Sequence, residues 1–246
     1  MSQKLTSEKH NKLFDKEHRF YGRRQGRKLT PARARLIDDS LPKIMPTLPE
    51  AQKKLDPRSL FPSSIKEIWL EIGFGNGEHL IAQAKANPDI GIIGCEPFMN
   101  GVSTCLAEIE THKIENIRIW PDDARLLLDA LHPNGLNRVF ILHPDPWPKK
   151  RHKKRRLVQT ELLNTLSSLM KPNAELRMAS DAPNLVEWML EKAFHHPNLE
   201  WMAKSADDWR KRPSDWPQTK YERKGLKSGR PPVYMIYKNI KNACKA

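Results

Sequence analysis

The sequence predicts an α/β fold on a mostly parallel sheet, and three observations carry that prediction. Short apolar runs at Glu67–Ile72, Ile90–Cys95, Asn116–Trp120, Val139–Leu142 and Glu175–Ala179 recur as five β-then-α units, the pattern of a sheet wound by right-handed crossovers. The first run passes into Gly73-Phe74-Gly75-Asn76-Gly77, a glycine loop between strand and helix. Carboxylates stand at the ends of the runs, at Glu71, Glu96, Asp123, Asp145 and Asp181. In open α/β sheets the carboxyl edge is where ligands bind.

The chain has 246 residues, enough to bury a sizeable core in one α/β domain. Its mean hydropathy is negative, and no apolar run approaches the roughly 18 residues of a membrane span. The opening MSQKLTSEKHNKLF lacks the apolar segment of a signal peptide. Cys95, Cys105 and Cys244 are too scattered for a zinc knuckle or a disulfide framework and fit a reducing cytosol, so the expectation is a cytoplasmic protein without a metal. The net charge is +14, and its placement is informative. Residues 1–35 carry +8, residues 149–156 carry +7 and residues 202–246 carry +8, which leaves −9 on the rest. Three basic segments on a mildly acidic scaffold point to a polyanionic partner.

Residues 1–40 read as a basic, partly flexible arm, with Tyr21-Gly22-Arg23-Arg24-Gln25-Gly26-Arg27 at its centre, and 41–246 as the folded domain. Pro42, Pro46, Pro49, Pro57 and Pro62 make 36–64 a loop-rich linker with little capacity for a core. After the first strand and its glycine loop, a helix is expected from Glu78 to Ala86. A dinucleotide fingerprint would place Gly or Ala at position 78, so Glu78 disfavours a pyrophosphate ligand. Glu96 ends the second strand, where a carboxylate either is solvated or accepts the hydroxyl hydrogens of a ribose. Asp123 follows the third strand and either caps the next helix, Arg125–Leu131, or receives an adenine amino group.

The fourth strand ends in Pro144-Asp145-Pro146-Trp147-Pro148, where prolines fix φ and withhold donors, so Asp145 is held in a stiff corner. Lys149–Arg156 follows with Lys or Arg at all but one position. Leu157, Leu162, Leu163, Leu166 and Leu169 then repeat at helical spacing, a core-facing helix running to Pro172-Asn173. The fifth strand ends in Ser180-Asp181, and a helix runs from Pro183 to His195; Asp181 is either its cap or a site carboxylate. Leu199–Lys204 and Val233–Lys238 read as two strands that pair antiparallel. The connection Ser205–Pro232 between them is long and irregular, with aromatic and basic residues interleaved, as suits stacking on bases and holding phosphate.

Glu71-x-Gly-x-Gly-x-Gly, Glu96 and Asp123, on seven strands with an antiparallel last hairpin, resemble the Class I S-adenosylmethionine-dependent methyltransferases with their Rossmann-like fold and helices on both faces. Pro144–Lys149, Arg151–Arg156, Ser180-Asp181, Thr219-Lys220-Tyr221-Glu222 and the Gly22–Arg27 arm narrow this. Together they resemble the bacterial tRNA (guanine-N(7)-)-methyltransferase family, from roughly Phe20 to Lys238. The resemblance implies S-adenosyl-L-methionine as cofactor, tRNA as partner, a variable-loop guanine as target and no required protein partner. It implies a cofactor pocket lined by Glu71, Gly73, Glu96, Asp123 and Asp145. Lys149, Asp181, Thr219, Lys220, Tyr221 and Glu222 would hold the target nucleotide, and Arg151, His152, Lys153, Lys154, Arg155 and Arg156 would contact RNA.

The expected chemistry fits those residue types. Guanine N(7) carries a free lone pair, so the transfer needs placement more than a general base. Positive charge passes onto the purine as the methyl moves, and Asp145 is the carboxylate expected to stabilise it. Asp181 and Glu222 are the candidates to accept guanine's N(1)–H and exocyclic amine. Two rivals remain in view. A nicotinamide-dependent oxidoreductase leaves the basic segments unexplained. A non-catalytic tRNA-binding protein on the same scaffold has little reason to keep buried-edge carboxylates.

Overall fold

The structure is a computed structural model, described over residues 21–50 and 53–241. Its centre is a seven-stranded sheet in the order β3-β2-β1-β4-β5-β7-β6. The strands are β1 (Glu67–Ile72), β2 (Ile90–Cys95), β3 (Ile117–Trp120), β4 (Leu136–Leu142), β5 (Met170–Ser180), β6 (Leu199–Trp201) and β7 (Val233–Asn239). The first five run parallel, while β7 pairs antiparallel with both β5 and β6. In β1 and β2 nearly every position is buried, because helices cover both sides of the sheet and leave no solvated face.

Alternation along β1 divides the core in two. Ile68, Leu70 and Ile72 face one apolar cluster with Leu127 and Leu128 of α5 (Ala124–Ala130), Leu163 and Leu166 of α6 (Thr160–Leu169), and Leu185 and Met189 of α7 (Pro183–Phe194). Trp69 joins the other cluster with Leu80 and Ala84 of α3 (Glu78–Ala86) and Val102, Leu106 and Ile109 of α4 (Met99–His112). Glu71 shares the parity of Trp69, so it emerges on the α3 side at the end of the strand.

Several expectations are corrected. Residues 36–64 contribute to the core despite their prolines. Pro31–Arg35 (α1), a π-helical turn Leu36–Ser40 and Leu41–Ile44 (α2) form one helical stretch whose Leu36, Ile37, Leu41 and Ile44 join the second cluster. Two of these prolines sit in first turns, at Pro42 and Pro57, where the missing N–H costs nothing. Phe61 is buried under β2, against Gly91. Position 40 falls inside the helical stretch. Helix α4 is the helix of the second β-then-α unit, expected above without named residues, although Val102, Cys105, Leu106 and Ile109 carry its spacing. The Ser205–Pro232 connection is not wholly irregular: it contains α8 (Asp207–Arg210) and α9 (Lys220–Lys227), with Thr219 capping the latter. The strand expected to reach Lys204 stops at Trp201. Among the described residues no helix is long and apolar enough to cross a membrane. Residues 1–20 of the arm and Cys244 lie outside the described residues.

Candidate active site

The carboxyl ends of β1, β2 and β4 open into a cavity of about 1140 Å³. Glu71, Gly73, Glu96, Asp123 and Asp145 all line it, although β1 is separated in sequence from the corner after β4 by some seventy residues. Gly73, Gly75 and Gly77 have φ of 79°, 58° and 85°, a region closed to most side chains, so the loop needs them as glycines. A second glycine requirement lies outside the loop. A Cβ on Gly101 of α4 would collide with the Gly75 carbonyl oxygen.

Glu96 ties the loop to β2. Its Oε2 accepts from the Gly75 amide at 2.8 Å and its Oε1 from the Phe98 amide at 2.9 Å. Each oxygen keeps a second acceptor position, and the pair suits two adjacent hydroxyls. Burial holds the Glu96 carboxyl above its ordinary value against the pull of those two amides, with Asp145 and Glu71 adding repulsion. Glu71 is paired below the loop, where His79 Nδ1 donates to its Oε2 at 2.8 Å and both side chains are buried. Asp123 is the cap of α5, accepting from the Arg125 amide at 3.0 Å; the Arg125 guanidinium engages both of its oxygens, and the side chain also lines the cavity. Its neighbour Asp122 is held 2.7 Å from the Arg24 guanidinium, which fixes the Tyr21–Arg27 segment beside the cavity. Asn100 assists, accepting from the Gly26 amide and donating to the Arg27 carbonyl. The Cys95 thiol lines the same space, but burial pushes its pKa far up, so it supplies no thiolate.

The corner after β4 is built from unusual backbone. His143 and Trp147 have φ of 49° and 41°, flanking Asp145, which is exposed toward the cavity mouth. A 3-10 helix, Lys150–Arg155, carries the basic run back toward α6. Lys149, Lys150, Arg151, Lys153 and Lys154 are exposed. Lys153 also lies 5.6 Å from the Trp188 ring centroid, and His152 packs edge-on to Trp147. Burial and the adjacent cations Arg155, Arg151 and Lys149 lower the His152 pKa. Arg155 sits over both the Tyr21 and Trp147 rings at 4.9 and 5.0 Å.

Arg156 corrects the expectation of an exposed phosphate ligand. It is 3% exposed, donates from Nε to the Pro146 carbonyl and from Nη1 to the Asn184 carbonyl, and packs over Trp188. Its charge braces the corner from within and is not available to a phosphate. Glu222 is also placed differently from the expected base reader. It is buried, accepts from the Tyr234 hydroxyl at 2.7 Å, lies 3.6 Å from Arg212 Nε and is absent from the cavity wall. Thr219, Lys220 and Tyr221 do reach the cavity, and the Lys220 amide donates to Glu78 at the start of α3. Asp181 is half-buried just past the end of β5, 3.1 Å from Arg230 Nε, and neither it nor Lys149 is part of the cavity wall. The sequence reading did not single out His79, His143, Arg125, Arg230 or Tyr234. Among the described residues no group of three or more His, Cys, Asp or Glu forms a metal site.

A glycine loop after β1, a carboxylate with free acceptor positions after β2 and an acid after β3, on this strand order, define a Class I S-adenosylmethionine-dependent methyltransferase. The methyltransferase family model Methyltransf_4 matches residues 66–235. A tRNA (guanine-N(7)-)-methyltransferase of Rhodospirillum rubrum is 48% identical over 224 residues, covering 89% of this chain and 87% of that relative. One from Paramagnetospirillum magneticum is 44% identical over 221 residues, covering 89% and 92%. The solved structure of TrmN from Thermus thermophilus shares the fold, with a TM-score of 0.50 at 14% identity over 72% of this chain and 45% of that one. The chain belongs to the tRNA (guanine-N(7)-)-methyltransferase family.

Proposed function

We propose that this protein methylates N(7) of a guanine in the variable loop of tRNA, in the cytoplasm, with residues 1–40 serving as a basic arm beside a methyltransferase domain of 41–246. The observation that carries the reading is the convergence of Glu71, Glu96, Asp123 and Asp145 on one cavity that the basic run joins through Lys154 and Arg155, with its other cations exposed in the same turn. When bound, S-adenosylmethionine supplies an electrophilic sulfonium methyl.

The residues divide the work by position. Glu96 accepts the ribose hydroxyls, and the open glycine loop admits the rest of the cofactor without a Cβ in the way. Asp123 and the wall beside it receive the adenine edge. Tyr221, exposed and within contact of the glycine loop, offers a ring for stacking on an unstacked base, and Thr219 and Lys220 flank it. With the cofactor held by Glu96 and the glycine loop, its methyl would be open to the N(7) lone pair of guanine, the carbon–sulfur bonding pair remaining with sulfur. The purine takes up the positive charge, and Asp145 stabilises it at the mouth. Asp181 accepts guanine's N(1)–H and amine. Lys149, Lys150, Arg151, Lys153 and Lys154 hold phosphates, which positions the RNA without reading it.

Incubation of purified protein with unmodified tRNA and methyl-labelled S-adenosylmethionine, followed by digestion to nucleosides, is expected to yield 7-methylguanosine. Asp145→Ala should lower turnover by about 100-fold or more while weakening cofactor binding less. Binding of tRNA without any methyl transfer would favour a non-catalytic tRNA-binding protein instead.

A further inference from the structure

His143 follows the last residue of β4 and opens the corner that carries Asp145. Its amide donates to the Ala179 carbonyl at 2.8 Å, so the backbone is fixed at φ 49° between two strands. The side chain lines the cavity, and its Nδ1 is buried without a hydrogen-bond partner. That nitrogen lies 3.7 Å from Asp181 Oδ1, just beyond bonding range. Arg230 Nε holds Oδ2 of the same carboxylate at 3.1 Å. The charged groups facing the imidazole are Asp181 at the end of β5, itself paired with Arg230, and Glu222 on α9, itself beside Arg212; Asp145 stands two residues on in the same corner.

A buried ring nitrogen short of a hydrogen bond, poised beside a half-bracketed carboxylate, needs a purpose. An ionised carboxylate offers about four acceptor positions. One donor on each oxygen leaves two positions, and the guanine edge presents two donors, N(1)–H and the exocyclic amine. We infer that His143 is a positioning residue for the target base: as the neutral tautomer it donates from Nδ1–H to Asp181 Oδ1 when guanine enters, aiming the remaining acceptor positions at the base. This rests on the reading of Asp181 as the guanine-binding carboxylate. Neutrality is part of the role, because a second cation at the cavity wall would oppose the charge developing on the purine. Burial lowers the imidazole pKa more than Asp181 and Glu222 raise it, which keeps the ring uncharged near neutral pH.

The test compares His143→Asn and His143→Ala, in the native and the Asp181→Asn backgrounds, by steady-state kinetics with tRNA as a function of pH. An Asn amide nitrogen occupies nearly the place of Nδ1, does not titrate, and tolerates the left-handed backbone. His143→Ala is expected to raise the Michaelis constant for tRNA about tenfold, the worth of one hydrogen bond to a charged group, and His143→Asn to restore most of it. Turnover of the native enzyme should fall as pH drops through the imidazole pKa, and the Asn variant should lose that acid limb. In the Asp181→Asn background, His143→Ala should add nothing further. An acid limb retained by His143→Asn, or fully additive losses with Asp181→Asn, overturns the inference while leaving the guanine-binding role of Asp181 intact. A native Michaelis constant in Asp181→Asn alone would remove that role and the inference with it. Should the Ala variant fold poorly, the acid limb of the Asn variant decides alone.

Discussion

The basic run offers the sharpest quantitative test, because the structure separates its free cations from its engaged ones. Arg155 sits over two rings and Arg156 is buried on backbone carbonyls, while Lys150, Arg151 and Lys154 are exposed and have no ring or carbonyl partner among the described residues. Each phosphate contact contributes about 0.7–0.9 to the slope of log affinity against log salt, so replacing these three with Ala should flatten the slope by about 2–3. Over a fourfold rise in salt, the variant should therefore lose about 20–40-fold less affinity than the native protein. Fluorescence anisotropy with labelled tRNA across a potassium chloride series measures this directly, and single-turnover kinetics at saturating tRNA should show nearly native transfer. An unchanged slope would mean that this run does not touch phosphate, and the RNA path would have to be sought along the other basic segments.

Three further outcomes follow from individual contacts. Arg156→Leu removes two hydrogen bonds from a buried guanidinium and should cost about 3 kcal/mol, lowering the melting temperature by about 6–12 °C in a chain of this size, with the salt slope of tRNA binding unchanged. The acid dependence of cofactor affinity should reflect Glu96: its charged form accepts the ribose hydroxyls and its pKa is raised, so affinity is complete above that pKa and is lost as pH falls through it. Calorimetric titration with S-adenosylhomocysteine should show the loss beginning at a higher pH than an ordinary glutamate would give, and Glu96→Gln should bind weakly at every pH. Gly101→Ala improves helix propensity by about 1 kcal/mol yet drives a Cβ into the Gly75 carbonyl, so cofactor affinity should fall about tenfold or more with the melting temperature nearly held. A native affinity would show that the loop can yield.

What could be read from the sequence follows from what each signal depends on. Five apolar runs ending in acids gave the sheet and its active edge, because strand burial and strand-end polarity are local properties of the chain. Helix α4 carries an equally local signal, the spacing of Val102, Cys105, Leu106 and Ile109, which fixes its bounds more closely than the strand pattern does. Thr219-Lys220-Tyr221-Glu222 stands in a connection whose prolines and glycines suggest irregularity, yet it is also the T-x-x-E of a helix start, and the Thr219 hydroxyl does accept from the Glu222 amide. Other features had no local signal. Nothing in a stretch of seven cations distinguishes Arg156 from its neighbours, since its partners Pro146 and Asn184 are brought to it only by the fold. The pairing of His79 with Glu71 likewise depends on how α3 lies against the end of β1.

The bond from Arg156 to the Pro146 carbonyl closes a loop of ten residues on itself, and the exposed cations sit within that loop. On the proposed assignment of the basic run to phosphates, the docking cations and the Asp145 corner would share one braced frame, and the protein would gauge distance along the RNA as a caliper does. Selection of a single guanine among many chemically identical ones would then become a matter of length. Inserting one residue between Pro148 and Arg156 would move the mark along the strand, and the methyl group would land on a different nucleotide or on none.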